Sequence, residues 1–236
     1  MFKVENMSTS VKKETLAKRP LLSLIRRFSE RRIRDEVLKR SFDVIFSFAL
    51  MALILPFSLV IALLIKASSK GPVIFKQQRL GKNNTIFQCY KFRTMYGNAE
   101  ELLEEILNQD CELKAEWESH QKLKRDPRIT SIGKFLRKTS LDELPQFWNV
   151  IKGELSIVGP RPYMVFQKKD LGNRARLILS IRPGITGLWQ TSGRSLLPFH
   201  KRIELDADYV KKRTFRYDLK LIVKTIPALF CNKNAC

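Results

Sequence analysis

Residues 137–162, RKTSLDELPQFWNVIKGELSIVGPRP, decide how the rest of the chain is interpreted. Two adjacent carboxylates, Asp142 and Glu143, follow hydroxyl-bearing residues and precede Pro145. This order is typical of a helix start. If Ser140 is the N-cap, it would form a capping box with Glu143. Asp142 as the N-cap, the favoured alternative, would place Pro145 in the first turn, where its missing N–H is not needed.

Either start places both acids at the positive end of a helix, where phosphate also binds. Neighbours in a helix point about 100° apart, so the two acids would not share one task. One can attack an electrophile while the other holds a cation. An isolated acid pair is better interpreted as a cap and a dipole partner. Three features favour a functional pair here: GPRP at 159–162, RPGITGLWQ at 182–190, and a membrane-length apolar run upstream.

Five stretches together resemble the bacterial sugar transferase family, the monotopic phosphoglycosyl transferases that act on polyprenyl phosphate. They are KRSFDVIFSFAL, GPVIFKQQRLGKNNTIFQCYKFRTM, RKTSLDELPQFWNVIKGELSIVGPRP, RPGITGLWQTSGR and LDADYVKKRTFRYDLKLIVKT. They occur in the family's order and cover roughly residues 39–226. The resemblance implies a minimal member with an α+β, mostly helical fold. Its parts would be a re-entrant membrane helix broken at a proline, a β-hairpin, and a cytosolic catalytic domain with interfacial amphipathic helices.

Four segments are expected along the chain. They are a basic N-terminal extension over 1–38, a re-entrant membrane helix over 39–66, a catalytic domain over 67–230 and a tail over 231–236. The extension is expected to begin disordered and, from about Pro20, to form either a basic amphipathic helix on anionic headgroups or a solvated tail.

The charge balance points to an anionic partner. Lys and Arg number 44 against 23 acids, a formal net charge of +21. Nucleic acid, nucleotide phosphates and an anionic lipid surface would each suit this excess. No pattern typical of nucleic-acid binding occurs, so nucleic acid is not the expected partner. The four cysteines and two histidines lack metal-ligand spacing, which argues against zinc, and the unpaired cysteines suit a reducing cytosol.

Residues 44–65 carry no charge, and these 22 residues as a helix would reach about 33 Å, enough for a hydrocarbon core of about 30 Å. Pro56 lies at the middle and would break the helical ladder. Both flanks are positive: Lys39 and Arg40 precede the run, and residues 66–99 hold seven basic residues and no acid. The positive-inside rule places both flanks in the cytoplasm. A helix broken at Pro56, entering and leaving one leaflet, satisfies both observations.

A β-hairpin is predicted from strands over 72–79 and 85–95 around the turn GKNN at 81–84. Lys91 and Arg93 lie near its end. Alone they would be solvated strand residues. The resemblance makes both contributors to a phosphate-binding surface.

Four further segments are predicted downstream. Residues 98–124 form an acidic helical stretch with an apolar face, packed on the core and not a metal site. Residues 163–181 form a basic helix. Residues 182–194, RPGITGLWQTSGR, form a loop because of their glycines and proline. Residues 201–226 form a helix lying at the membrane surface.

The resemblance also implies the reaction. A hexose-1-phosphate would pass from a UDP-sugar to undecaprenyl phosphate with release of UMP, as the first membrane step of exopolysaccharide, lipopolysaccharide or capsule synthesis. The family's Asp is the nucleophile, so Asp142 would carry a covalent phosphosugar. Glu143 would bind Mg²⁺. Localisation would be the bacterial inner membrane, on the anionic bilayer and facing the cytoplasm. The alternative is a membrane-tethered basic binding module or an inactive scaffold.

The remaining site residues divide into two groups. Arg137 and Arg161 would neutralise phosphate oxygens with their planar forks, a task that suits Arg better than Lys. The loop residues Arg182, Trp189 and Arg194 would hold the nucleotide part of the donor. For Trp189 alone, core packing is an equal alternative.

Overall fold

A computed structural model describes most of the chain, and its fold is mostly helical with two small sheets, which confirms the predicted α+β class. The backbone is described for residues 5–120, 123, 125–193 and 197–230, and the side chains for 33–117, 123, 125–193 and 197–228. The chain divides into two compact units between Phe42 and Asp43. The acidic pair lies in the second unit.

The first helix, α1, runs Glu5–Ser68. It therefore begins well before Pro20, and the disorder predicted for the start of the chain is wrong from Glu5 onward. Within the described residues one segment, Ile33–Ser68, is long and apolar enough to cross a membrane by length and composition. The helix passes through Pro56 without interruption, so the predicted break is not confirmed and stays a prediction.

The predicted hairpin is confirmed. Strand β1, Ile74–Leu80, pairs antiparallel with β2, Ile86–Phe92. The connection is a single 3₁₀ turn, Lys82–Asn84, in which Asn83 and Asn84 have φ of 54° and 64°. Asn adopts this left-handed region more readily than most residues, so GKNN closes the hairpin at little cost.

The remaining elements follow in chain order. They are α2 Ala99–Gln109, α3 Cys111–His120, α4 Ser131–Thr139, a 3₁₀ turn Leu141–Glu143, α5 Gln146–Lys152, β3 Ser156–Val158, a 3₁₀ segment Val165–Arg174, α6 Ala175–Ile178, β4 Gly184–Thr186, α7 Leu188–Thr191, α8 Phe199–Lys212 and α9 Phe215–Phe230. The acidic stretch is thus two helices, because the Asp110 carboxylate accepts the backbone N–H groups of Glu112 and Leu113 and starts α3.

The end of α1 packs against the hairpin and α4. Leu53, in the middle of the helix, is 77% exposed, whereas Ile61 and Ile65 are buried. These two pack in one cluster with Phe92 of β2 and Leu136 of α4. The last turns of α1 therefore share a core with the hairpin.

The loop predicted over 182–194 is wrong, because the segment contains β4 and α7. Strand β4 pairs in parallel with β3. Its glycines serve close backbone packing: a Cβ at Gly184 would lie 2.1 Å from the Gly159 nitrogen, and one at Gly187 would lie 2.2 Å from the Gly159 oxygen. A glycine-rich sequence looks like a loop, but here the glycines let three backbone segments meet.

The single basic helix predicted over 163–181 is also incomplete. The segment is mostly 3₁₀, interrupted at Gly172 with φ of 50°, and only its end, α6, is α-helical. Farther on, two buried acids accept tyrosine hydroxyls: Tyr163 donates to Asp206 at 2.6 Å, and Tyr209 donates to Asp218 at 2.7 Å. These bonds join α8 and α9 to the core.

Gly133→Ala should destabilise the fold although alanine is the better helix former. Propensity alone would favour alanine by about 1 kcal/mol. A Cβ at Gly133 would, however, lie 2.0 Å from the Thr94 carbonyl oxygen. We expect a net loss of about 1–3 kcal/mol, which lowers the thermal unfolding midpoint by several degrees. Ser131→Ala, at an exposed position of the same helix, is the control. A midpoint for Gly133→Ala at or above that of the control would contradict the close approach.

Candidate active site

The acidic pair lies in a tight turn between two helices. Ser140 closes α4 with φ of 59°, in the left-handed region, and Asp142 and Glu143 follow in the 3₁₀ turn. Helix α5 then begins at Gln146. Neither the 3₁₀ turn nor α5 has a side-chain N-cap in the described residues. Neither predicted side-chain cap forms: Ser140 ends α4 and precedes the 3₁₀ turn without a side-chain bond to it, and Asp142 lies inside that turn.

Glu143 is held by two cations from distant parts of the chain. Lys91 Nζ lies 2.8 Å from Glu143 Oε1, and Arg161 Nη2 lies 2.7 Å from the same oxygen. Lys91 Nζ is also 3.7 Å from Asp142 Oδ2. The structure thus brings together four of the predicted site residues, from β2, the 3₁₀ turn and the GPRP turn.

The two acids have different electrostatic environments. Burial raises the pKa of the Asp142 carboxyl, and Lys91 opposes that rise. Burial also acts to raise the pKa of Glu143, but Arg161 and Lys91 together hold it well below its usual range. Glu143 is therefore a firmly ionised, paired carboxylate, whereas Asp142 is a desolvated one. Environments that separate two acids in this way assign them different chemical roles.

Two half-buried arginines missed by the sequence analysis hold the GPRP turn. Arg79 Nη1 donates to the Pro162 carbonyl at 3.1 Å, and Arg202 Nη2 donates to the Arg161 carbonyl at 3.2 Å. Burial and the neighbouring Arg161 lower the pKa of Arg79 to about 10. The i,i+4 spacing of Arg202 and Asp206 was an available sequence signal; Arg79 offered none. Together they fix the backbone that presents Arg161.

Trp189 forms part of the wall of this site. Its ring lies 5.8 Å from the guanidinium carbon of Arg161 and 5.0 Å from that of Arg202. Tyr163 and Phe199 also face Arg202, at 4.1 and 5.7 Å. Such contacts orient a guanidinium while leaving its edge for other partners. The buried Trp189 Nε1 has no partner in the described residues.

Two more of the predicted arginines bind nearby backbone or hydroxyl groups. Arg137 Nε donates to Thr94 Oγ1 at 2.9 Å, and its charge acts to lower the pKa of Asp142. Arg182 Nε donates to the Gly153 carbonyl at 2.8 Å, at the end of α5. Arg137 therefore belongs to the electrostatic surroundings of the acidic pair, whereas Arg182 supports α5.

Of the last two predicted arginines, only Arg93 is described. Arg93 does not join the contacts around Glu143; its Nη2 donates to the Ser69 carbonyl at 2.7 Å, just past the end of α1. Arg194 lies outside the described residues.

The acidic pair fits a Mg²⁺ ion of the kind that shares its coordination with a substrate. No group of three or more His, Cys, Asp or Glu side chains suited to a metal occurs in the described part of the chain. Mg²⁺ is, however, commonly bound through one or two carboxylates together with substrate phosphates. Both cations on Glu143 contact Oε1. Its Oε2 is therefore the oxygen that suits a metal.

The sequence model of the bacterial sugar transferase family matches residues 34–232. The chain is 43% identical over 189 residues to the UDP-galactose-lipid carrier transferase of Erwinia amylovora, covering 80% of this chain and 39% of that protein. It is 46% identical over 189 residues to the undecaprenyl-phosphate galactose phosphotransferase of Salmonella typhimurium, with the same coverage of 80% and 39%. It is 42% identical over 197 residues to the exopolysaccharide production protein ExoY of Rhizobium meliloti, covering 84% and 87%. The chain thus spans about two fifths of the length of the first two relatives.

Arg161→Gln should destabilise the protein in a pH-dependent way. The Glu143 ion pairs contribute above the unfolded pKa of a glutamate, about 4.3, and that contribution is lost as the pH falls toward the depressed folded pKa. We expect a loss of roughly 1–3 kcal/mol at pH 7 that shrinks below pH about 4.3. Thermal unfolding at pH 7 and pH 3 measures it. Lys201→Gln, which breaks the exposed pair with Glu204, should change little at either pH. A loss for Arg161→Gln that is the same at both pH values would contradict the buried pair.

Proposed function

The chain belongs to the bacterial sugar transferase family, and we propose that it transfers a hexose-1-phosphate from a UDP-sugar to undecaprenyl phosphate and releases UMP. The single observation that carries this proposal is the pair of adjacent carboxylates in different environments, Asp142 desolvated and Glu143 paired with two cations. The relatives named above as lipid carrier and undecaprenyl-phosphate transferases support the substrate classes. The proposed reaction would be the first membrane step in the synthesis of a surface polysaccharide.

In the first proposed step, Asp142 attacks the donor. A carboxylate oxygen of Asp142 bonds to the β-phosphorus, and the bond from that phosphorus to the bridging oxygen breaks. UMP leaves with the electron pair, so no proton transfer is needed. Because Asp142 is buried, its carboxylate is poorly hydrated. A poorly hydrated carboxylate loses less solvation when it attacks phosphorus, which favours the reaction. The phosphosugar is then carried on the aspartate.

In the second proposed step, an oxygen of undecaprenyl phosphate bonds to the same phosphorus. The bond from phosphorus to the Asp142 oxygen breaks and restores the carboxylate. The product is a sugar linked to the lipid through a diphosphate. Two successive displacements at one phosphorus let a soluble donor and a lipid acceptor use the site in turn.

The basic residues around the pair have separable roles. Lys91 Nζ lies 2.8 Å from Glu143 and 3.7 Å from Asp142, and so fixes the relative positions of the two carboxylates. Arg161 pairs with Glu143 through one nitrogen, and its planar fork suits equatorial phosphate oxygens. Arg137 adds positive charge near Asp142. Their charges would neutralise the diphosphate as it enters.

Mg²⁺ is the proposed cofactor. Glu143 would hold it through Oε2, and when bound it would neutralise the diphosphate oxygens and the charge that develops on UMP. The firmly ionised state of Glu143 suits this role, because a protonated carboxyl would not bind the ion.

We further propose that α1 enters and leaves one face of the bilayer. Asp43 Oδ2 accepts the Ser156 hydroxyl at 2.6 Å, and Ile65 is buried in the hairpin cluster, so both ends of the apolar run contact residues that follow the helix in the chain. A straight helix would separate residues 43 and 65 by about 33 Å. No residue over 48–60 is buried against the described protein. These facts support a helix bent near Pro56, anchored to the inner membrane with the catalytic unit on the cytoplasmic side.

The defining assay measures UMP release from a panel of UDP-sugars with undecaprenyl phosphate and Mg²⁺ in nanodiscs. We expect release with a preferred sugar, and a loss on the order of 10³-fold or more in Asp142→Asn. Asp170→Asn, at an exposed position, is the matched control. Undiminished turnover in folded Asp142→Asn would remove Asp142 as nucleophile. Lipid binding without UMP from any sugar would favour the scaffold or binding-module alternative.

Lys91→Met should shift the acidic limb of the pH–rate profile. Lys91 acts to lower a pKa that burial raises in Asp142, so its removal raises that pKa further. Because the attacking form is the carboxylate, the limb of kcat moves to higher pH. Lys138→Met removes an exposed cation from the neighbouring helix and should leave the limb in place. A limb that stays fixed or moves to lower pH in Lys91→Met would contradict this placement.

A further inference from the structure

Three consecutive residues at the end of β2 connect the acidic pair to the membrane helix. Lys91 binds Glu143 at 2.8 Å, Phe92 packs with Ile61 and Ile65, and Arg93 reaches past the end of α1. A strand rises about 3.3 Å per residue, so the Cα atoms of Lys91 and Arg93 are only about 7 Å apart. The short distance along the strand therefore couples the position of the carboxylates to that of the helix.

Arg93 holds the C-terminal end of α1. Its Nη2 donates to the Ser69 carbonyl at 2.7 Å and to the Ser69 hydroxyl at 3.0 Å, and lies 3.5 Å from the Ile65 carbonyl. The last carbonyls of a helix lack partners within the helix and carry its negative dipole end. The Arg93 guanidinium satisfies the Ser69 carbonyl and places a positive charge at the negative end of the helix dipole, so one side chain joins the helix end to the active-site strand.

The surroundings of Arg93 are built for this contact. Gly71, between α1 and β1, has φ of 121°, and a Cβ there would lie 2.4 Å from Arg93 Nη1. Burial lowers the pKa of Arg93, and no carboxylate pairs with it in the described part of the chain. A buried cation balanced only by carbonyls and a hydroxyl is a poor source of stability. The position of Arg93 between α1 and β2 suggests that it serves to hold these two elements together in a fixed arrangement.

We propose that Arg93 is a positioning residue that sets the height of the carboxylates relative to the bilayer, and so governs access of the lipid-borne acceptor and not of the soluble donor. This inference rests on the proposed function. It also assigns Arg93 a task other than the phosphate contact expected from the sequence. Substitution of Arg93 should therefore impair transfer to the lipid acceptor and not the reaction with the donor.

The test separates the two halves in the full chain held in nanodiscs. Exchange of radiolabelled UMP into the UDP-sugar, without acceptor, reports the donor half. Transfer to undecaprenyl phosphate reports the acceptor half, and transfer to a water-soluble short-chain prenyl phosphate reports the same chemistry without the bilayer. In Arg93→Met we expect kcat/KM for undecaprenyl phosphate to fall about 10- to 100-fold. UMP exchange and use of the soluble acceptor should stay near wild type, and Arg93→Lys should recover part of the loss.

Lys76→Met is the matched control, because it removes an exposed cation from the same hairpin. It should leave all three readouts unchanged. Equal losses in UMP exchange and lipid transfer in Arg93→Met, or a loss with the soluble acceptor as large as with the lipid, would overturn the positioning role. No change in any readout would overturn it as well. A wild-type protein without UMP exchange or release from any UDP-sugar would instead overturn the proposed function itself.

Discussion

The ion pairs on Glu143 are the constraint on which the candidate site depends. Lys91 comes from the hairpin and Arg161 from the GPRP turn, and both meet Oε1 of one carboxylate. A buried pair of this kind adds little net stability, because desolvation of the charges offsets their attraction. It does fix geometry, since removing any member leaves an uncompensated charge. Asp142 lies beside this pair, with its Oδ2 at 3.7 Å from Lys91 Nζ.

The difference between the two acids follows from where each side chain points out of the turn. Adjacent acids predicted separate tasks, and the structure gives Asp142 and Glu143 opposite pKa shifts. The predicted side-chain caps do not form for a local reason: Ser140 adopts φ of 59°, which ends α4 and starts the 3₁₀ turn at once. Left-handed backbone at a serine is uncommon, and no sequence pattern signals it. The chemistry of the pair was thus more predictable than its backbone.

Features set by local sequence were predictable, whereas those set by contacts between distant segments were not. The hairpin over Ile74–Phe92 follows from alternation and a GKNN turn. Strand β4 does not, because its glycines are explained only by the approach of Gly159. Arg79 and Arg202 likewise show their roles only through the carbonyls that they hold. Each of these needed the tertiary fold to bring two parts of the chain together.

The net charge of +21 did not by itself distinguish nucleotide from lipid partners, and among the described residues basic side chains occur in two different settings. Arg161 and Arg202 are partly buried beside the acids and aromatic rings, where a diphosphate would balance them. On α9, Lys220 and Lys224 are instead exposed together with Val223, which is 66% exposed. Exposed cations beside exposed apolar side chains suit the headgroup region of a bilayer. The proposed reaction between a nucleotide and a lipid would require both surfaces, which explains why the excess of basic residues does not identify a single partner.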